Sequence, residues 1–126
     1  MNVIIRETDE FFILKPEIVG TSDDDVLRIT KNAIAKIEEN IDKVNAPKSF
    51  YIRIGIRGGG PESTNFFIEY DYYILENDTV IDLPSFQLVI DNRSLFYLLK
   101  FVIDYKNVQN KEGFVLSYWK EELKSS

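Results

Sequence analysis

The sequence predicts one α+β domain with a mostly antiparallel sheet and two principal helices. The chain has 126 residues, and most domains hold roughly 100–150. Hydrophobic residues make up 44% of the chain and include nine Phe, seven Tyr and one Trp, which is enough material for a core. The spacing of the apolar residues gives the order helix, strands, helix, strand, and this order favours a compact α+β fold.

The first helix is predicted over residues 31–44. Apolar residues recur there at three- and four-residue spacing, and charged residues occupy the other faces. Thr30 is a suitable N-cap, because its hydroxyl can accept a hydrogen bond from an amide of the first turn. Pro47 is expected to close the segment, since proline cannot continue a helix.

A strand, a glycine loop and a second strand are predicted next. Residues 50–57 alternate strictly, with apolar side chains at the even positions and Arg53 and Arg57 on the other side. Residues 58–63 (GGGPES) have loop composition, and residues 65–73 return to β-prone types. This pattern is typical of a hairpin.

The rest of the domain is predicted as three short strands and a second helix. The strands are expected at residues 79–82, 86–90 and 113–118. The helix is expected at residues 93–104, opened by Asp91 or Asn92, and its buried face would carry Leu95, Leu98, Leu99 and Val102.

The two ends of the chain are expected to flank a main domain at residues 26–119. Residues 1–25 are predicted as an N-terminal extension, with a hairpin built from two short apolar runs and then a polar linker. The linker contains Asp23-Asp24-Asp25 but lacks the alternating acids, central glycine and distal glutamate of a calcium loop, so we expect a solvated turn. Residues 120–126 are a charged C-terminal tail.

Composition excludes several classes of chemistry. The chain has no cysteine and no histidine, which rules out disulfides, thiolate-held clusters and every Ser-His or Cys-His nucleophile. Its net charge of −6 and pI near 4.7 argue against nucleic acids and anionic membranes as partners. No apolar run approaches the length of a membrane span, and the N-terminus lacks signal-peptide features, so we expect a cytoplasmic protein.

The triple glycine is the one unusual local motif. A phosphate cradle would need a following Lys-Ser/Thr pair or a GxGxxG turn that enters a helix, and neither is present. The glycines more simply permit positive φ angles in a hairpin loop. The alternative is a small-molecule or divalent-cation site within residues 58–64, formed by Gly58, Gly59, Gly60, Glu62 and Ser63.

Acidic residues around this hairpin and aromatic residues along the chain leave further functional alternatives. The carboxylates there could form a catalytic or metal-binding pair, but 21 acids in 126 residues cluster by chance, so we expect no catalysis. The aromatic residues could fill the core or a subunit interface, or form a binding face, and the first two uses are more common. They are Tyr70, Tyr72, Tyr73, Tyr97, Tyr105, Tyr118 and Trp119.

Four stretches of the chain follow one another in a pattern known from one family. They are ITKNAIAKI at residues 29–37, RIGIRGGG at 53–60, IDNRSLFYL at 90–98 with IDY at 103–105, and GFVL at 113–116. Together they resemble the A-type iron–sulfur carriers, also called HesB-like or IscA-type proteins. That family has an opening helix, a strand before a glycine loop, the signature V-D-x-x-S-L-x-Y-L-x-G-x-x-L-D-Y and a last strand G-F-x-F. The resemblance covers about residues 27–118 and implies the family's compact, barrel-like fold.

The sequence departs from the family at its functional positions. The resemblance implies iron or cluster ligation by one cysteine after the glycine loop and by a Cys-Gly-Cys near the C-terminus. Here Pro61 stands at the loop position, EELKSS at residues 121–126 has no counterpart of the second motif, and Lys100 replaces the glycine of the signature. No ligand carries over, so we expect no catalytic residue, no metal ligand and no cofactor.

The resemblance therefore implies a HesB-like protein that has kept the scaffold and lost the cluster site. We expect a non-enzymatic protein that acts through protein–protein contact, with iron–sulfur assembly proteins as candidate partners. Members of the family are homo-oligomers, and the supply of aromatic residues fits a homodimer.

Overall fold

The computed structural model describes residues 1–18, 20–44, 50–57 and 65–120 and contains nine strands and two helices in that part of the chain. In chain order the elements are β1 (Val3–Glu7), β2 (Phe11–Pro16), β3 (Leu27–Thr30), α1 (Lys31–Val44), β4 (Tyr51–Arg57), β5 (Asn65–Asp71), β6 (Asp78–Asp82), β7 (Gln87–Asp91), α2 (Asn92–Leu98), β8 (Phe101–Val108) and β9 (Lys111–Tyr118). Neither helix is long and apolar enough to cross a membrane.

The strands form two mixed sheets. The first has the order β1-β2-β3-β8-β9, and its β3–β8 pair is parallel, with Arg28 opposite Val102. The second has the order β5-β4-β7-β6, and its β4–β7 pair is parallel, with Arg53 opposite Val89. All other neighbours are antiparallel, which confirms the predicted α+β class with a mostly antiparallel sheet and two principal helices.

The first helix has the predicted bounds. Thr30 Oγ1 accepts a hydrogen bond from the Ala33 N–H at 3.0 Å, so Thr30 is the N-cap that the sequence indicates. Ala33, Ile34 and Ile37 are buried, as the apolar spacing predicts.

The second helix is shorter than predicted, because it ends at Leu98 and not at residue 104. The C-cap Leu99 has an extended backbone (φ −61°, ψ 138°), Lys100 then adopts a left-handed φ of +73°, and the next residues form β8. Strand β8 pairs with β3 and β9, so Val102 and Ile103 lie in a sheet and not on a helix face.

One hydrophobic core lies between the two sheets and the helices. It includes Phe12, Leu14, Leu27, Ile29, Ile34, Ile37, Ile52, Ile54, Leu88, Ile90, Leu95, Leu98 and Ile103. The sequence pattern puts Ile56 on the apolar face of its strand and Val102 on the buried face of the second helix. Ile56 is only partly buried and packs against the cluster, while Val102 is buried outside it, because the alternation of β8 points Ile103 inward instead.

Candidate functional site

Strand β4 ends against the first turn of α2. The Ile56 N–H donates to Ser94 Oγ at 3.1 Å, and Ser94 is buried. The Ser94 N–H in turn donates to Asp91 Oδ2 at 3.0 Å, which caps α2. The last described residues before the glycine loop are therefore fixed beside the N-terminal end of α2.

The outer face of the β4–β5 pair is built on a close approach at Gly55. A Cβ at this position would lie 2.6 Å from Cζ of Phe67, so only glycine leaves room for that ring. The Arg57 guanidinium lies 4.0 Å from the centroid of the same ring, and its Nη2 is 2.6 Å from Oε1 of Glu69. The Phe67 ring and the Glu69 carboxylate thus hold Arg57 at the C-terminal end of β4.

The C-terminal end of β9 is fixed at the other end of α2. The Trp119 N–H donates to the Lys100 carbonyl at 2.8 Å, and the Lys100 N–H donates to the Val26 carbonyl at 2.8 Å. The Arg28 guanidinium lies 4.0 Å from the centroid of the Trp119 ring. The end of β4 and the end of β9 are therefore held near opposite ends of the short helix α2.

A cleft of about 950 Å³ opens beside Trp119. Its lining includes two charged residues, Asp9 and Lys31, and two aromatic residues, Phe11 and Tyr118. Cleft size is in the range of small-molecule sites, but Lys31 is already paired with Glu7 at 2.5 Å. The mixture of charges and rings selects no single ligand chemistry.

Arg53 gathers two of the acidic residues around the hairpin. Its Nε donates to Asp71 Oδ2 at 2.6 Å, and its Nη1 and Nη2 donate to the two oxygens of Asp78 at 2.8 and 2.6 Å. These hydrogen bonds hold the pKa of both carboxyls below their usual range and raise the pKa of Arg53. A general acid needs a raised pKa, so neither Asp71 nor Asp78 is suited to that role.

The remaining carboxylates also form no metal site in the part of the chain that the structure describes. No group of three or more acidic side chains there could hold a metal ion. Glu69 is paired with Arg57, and Asp25 of the triple aspartate accepts hydrogen bonds from the N–H and hydroxyl of Ser22. Asp25 therefore belongs to a local turn. Neither Glu69 nor Asp25 adds a ligand to the alternative divalent-cation site at residues 58–64.

The predicted loop site lies outside the described residues. This applies to Gly58, Gly59, Gly60, Glu62 and Ser63, and to Pro61 at the family's cysteine position.

Some of the aromatic residues lie in the core and others are exposed on the surface. Tyr70 and Tyr105 pack against the core. Tyr72, Tyr73, Tyr97 and Tyr118 are exposed. Ile74 and Leu75 continue the exposed run, which we did not predict. The available signal in the sequence was the presence of four adjacent large apolar residues between two strands.

Comparisons with known proteins agree with this geometry. An uncharacterized protein from Galdieria sulphuraria is 38% identical over 90 residues, which cover 70% of this chain and 80% of the relative. The iron–sulfur cluster insertion protein ErpA from Marinobacter nauticus is 32% identical over 90 residues, covering 71% of this chain and 81% of the relative. The putative iron–sulfur cluster insertion protein ErpA from Methylobacillus flagellatus is 33% identical over 90 residues, covering 71% and 76%. A scan of protein-family models finds no match.

Two solved structures share the fold. SufA from Escherichia coli, described as involved in biosynthesis of iron–sulfur clusters, aligns with a TM-score of 0.57 at 15% identity and covers 73% of this chain and 84% of its own. A protein from Aquifex aeolicus aligns with a TM-score of 0.57 at 21% identity and covers 79% and 98%.

The fold defines a class of small α+β proteins with two mixed sheets and two helices. The sequence relatives make the assignment specific. This chain belongs to the HesB-like, A-type iron–sulfur carrier family.

Proposed function

We propose that this chain is a non-catalytic member of the family that holds no iron–sulfur cluster and acts in cluster assembly through contact with other proteins. The observation that carries the proposal is the absence of cysteine from a chain that keeps the family scaffold. Its named relatives are cluster insertion proteins, which supports a place in the same process.

The donor atoms of this chain do not fit a cluster. Iron–sulfur clusters are held by soft thiolates, occasionally replaced by imidazoles, and the sequence has neither group. Pro61 stands at the loop position and offers no side-chain donor and no amide N–H. Around the hairpin, Asp71 and Asp78 are occupied by Arg53, so their oxygens are not available as hard substitutes.

Protein contact is the role that remains for a scaffold without ligands, and we infer a homodimer as its working form. The exposed Tyr97 and Tyr118 support both inferences, because Tyr is enriched in the contact regions of interfaces. Light scattering on the purified chain tests the dimer. A mass of one chain at about 10 µM, well above a typical dimer Kd, would contradict it.

Cluster transfer tests the main proposal. The ErpA relative from Marinobacter nauticus is reconstituted anaerobically with iron and sulfide, and this chain is then added without metal. We expect the visible absorption of the cluster to stay with the relative when the two proteins are separated. Absorption that moves to this chain would overturn the proposal.

A further inference from the structure

Residues 72–75 expose four consecutive large apolar side chains in the connection between β5 and β6. The exposed fractions are 51% for Tyr72, 73% for Tyr73, 47% for Ile74 and 65% for Leu75. Single exposed apolar residues are ordinary, but a contiguous apolar patch on a protein surface marks an interaction site. Loops usually consist of polar residues, so the composition typical of loops does not explain this apolar run.

The first half of this loop is held in one conformation. Asp71 Oδ1 accepts hydrogen bonds from the N–H groups of Tyr72 at 2.7 Å and Tyr73 at 3.3 Å. The Tyr73 carbonyl accepts a further bond from Arg53 Nη2 at 3.3 Å. Backbone groups that would otherwise bind water are thus tied to charged side chains.

The second half is held by Asp78. Its Oδ2 accepts from the Leu75 N–H at 2.6 Å, and its own N–H donates to the Leu75 carbonyl at 3.1 Å. Because Asp78 is clamped by Arg53, both ends of the loop are anchored to the same guanidinium group. A loop that is already ordered loses little conformational entropy when it binds, which is the property of a preorganised binding element.

The charge around the loop is negative. Among the described residues of β4 and of the stretch 69–78, four carboxylates (Glu69, Asp71, Glu76 and Asp78) outnumber two guanidinium groups, Arg53 and Arg57, which pair with three of them. Glu76 is exposed and adjoins the apolar run directly. The whole chain carries a net charge of −6.

The negative charge distinguishes three possible binding partners for this apolar loop: an anionic membrane, a second copy of the chain and a different protein. An anionic membrane would repel the surrounding carboxylates. A second copy of the chain would bring like charges together, which is unfavourable across an interface. A protein whose apolar groove is bordered by Lys and Arg matches both the side chains and the charge.

We propose that residues 72–75 are a docking loop that inserts into an apolar groove, bordered by basic residues, on a partner protein. The proposal rests on the interaction role proposed above and assigns it a surface. Four side chains bury only a small area, so the contact belongs to the small, transient class of interfaces. Tyr72 and Tyr73 supply rigid contact area of the kind that dominates binding energy.

A random peptide library displayed on phage, selected on the full chain, provides the probe. We expect enriched peptides to combine two or three apolar residues with flanking Lys or Arg. A synthetic peptide of the enriched sequence should bind more weakly at about 300 mM salt than at about 50 mM, because exposed charge pairs are screened.

Two double variants identify the surface. Ile74→Ser with Leu75→Ser should weaken binding of the synthetic peptide by at least about tenfold. The matched control, Ile4→Ser with Val108→Ser, changes two similarly exposed residues in the other sheet and should leave binding unchanged. Circular dichroism confirms that both variants are folded.

Four results would overturn the proposal. They are an enriched peptide set without basic residues, equal binding by both double variants, a light-scattering mass that falls only in the Ile74/Leu75 variant, and co-sedimentation of the wild type alone with phosphatidylcholine–phosphatidylserine vesicles. The third result would assign the loop to self-association and the fourth to a membrane. Cluster transfer to this chain would overturn the proposed function while leaving the peptide result standing, so the two failures are distinguishable.

Discussion

Replacing Arg53 by methionine should destabilise the protein strongly, because the change leaves a buried carboxylate without its partner. The side chains of Arg53 and Asp78 are 11% and 1% exposed. Among the described residues, Leu75 still donates its N–H to Asp78 in Arg53→Met. Methionine preserves most of the aliphatic bulk, so the change tests charge and hydrogen bonding more than packing.

The magnitude follows from the burial of the cluster. Removing one partner of a fully buried ion pair costs about 3–5 kcal/mol. Asp71, the second partner, is 29% exposed, so water compensates part of its loss. We therefore expect the free energy of unfolding to fall by about 2–4 kcal/mol. With a urea m-value of about 2 kcal/mol/M, the unfolding midpoint should fall by roughly 1–2 M.

Arg57→Met is the matched control. Arg57 lies on the same face of the same strand, but its pair with Glu69 is 60% and 46% exposed. Exposed pairs contribute about 0–1 kcal/mol, so this variant should unfold within about 1 kcal/mol of the wild type. Urea titrations followed by circular dichroism measure all three proteins. Equal losses in the two variants would refute the assignment of Arg53 as the anchor of this cluster.

The pH dependence supplies a second check on the same cluster. Asp71 and Asp78 have a lowered pKa when folded, so they stabilise the protein above the unfolded aspartate pKa of about 3.9, and this stabilisation is lost as the pH falls through their folded pKa. In Arg53→Met the part of that stabilisation that comes from Arg53 is missing, while the backbone N–H donors of Tyr72, Tyr73 and Leu75 remain. The difference in unfolding free energy between the wild type and Arg53→Met should therefore shrink between about pH 5 and pH 3. A difference that is constant with pH would contradict the explanation.

Three further substitutions test the fold. Ile54→Ala should cost about 2–5 kcal/mol in urea unfolding, because Ile54 is fully buried in the core, and a loss below about 1 kcal/mol would mean that the faces of β4 are wrongly assigned. Lys100→Gly should be about 1 kcal/mol more stable than Lys100→Ala, because both lose the lysine but only glycine accepts φ +73° without strain; equal thermal midpoints would argue against that conformation. Thr30→Val should cost about 1–2 kcal/mol through loss of the α1 N-cap, whereas Thr30→Ser should unfold close to the wild type; a matching loss in both would exclude the capping explanation.

The elements that the sequence predicts well are those whose periodicity is local. Helix α1 has a complete apolar stripe and a capping threonine, and both are readable from consecutive residues. Strand β4 alternates over its whole length and was predicted within one residue of its observed start.

The elements that were missed depend on partners distant in the chain. Strand β3 has only four residues and is defined by pairing with β2 and β8, so residues 27–30 carry too short a pattern to predict it. The second helix was extended too far, because Leu95, Leu98, Leu99 and Val102 have helical spacing even though the backbone is extended at Leu99 and left-handed at Lys100. The family signature has glycine at this position, and that was the available signal for the break.

The candidate site was predictable in its chemistry but not in its geometry. The missing cysteines are a property of the sequence alone. The cluster of Arg53 with Asp71 and Asp78 depends on which residues face each other across the β4–β5 and β6–β7 pairs, and this register depends on turn geometry as well as on the apolar pattern. The apolar run at residues 72–75 is visible in the sequence, but its exposure is known only from the structure.

Native mass spectrometry after anaerobic reconstitution with iron and sulfide tests the central claim most directly. The ErpA relative from Marinobacter nauticus, treated in parallel, shows that the reaction assembles clusters. For this chain we expect only masses of the polypeptide and its oligomers, because no thiolate or imidazole is present to retain iron and sulfide. A stoichiometric species heavier by an iron–sulfur cluster, with the matching visible absorption, would contradict the account.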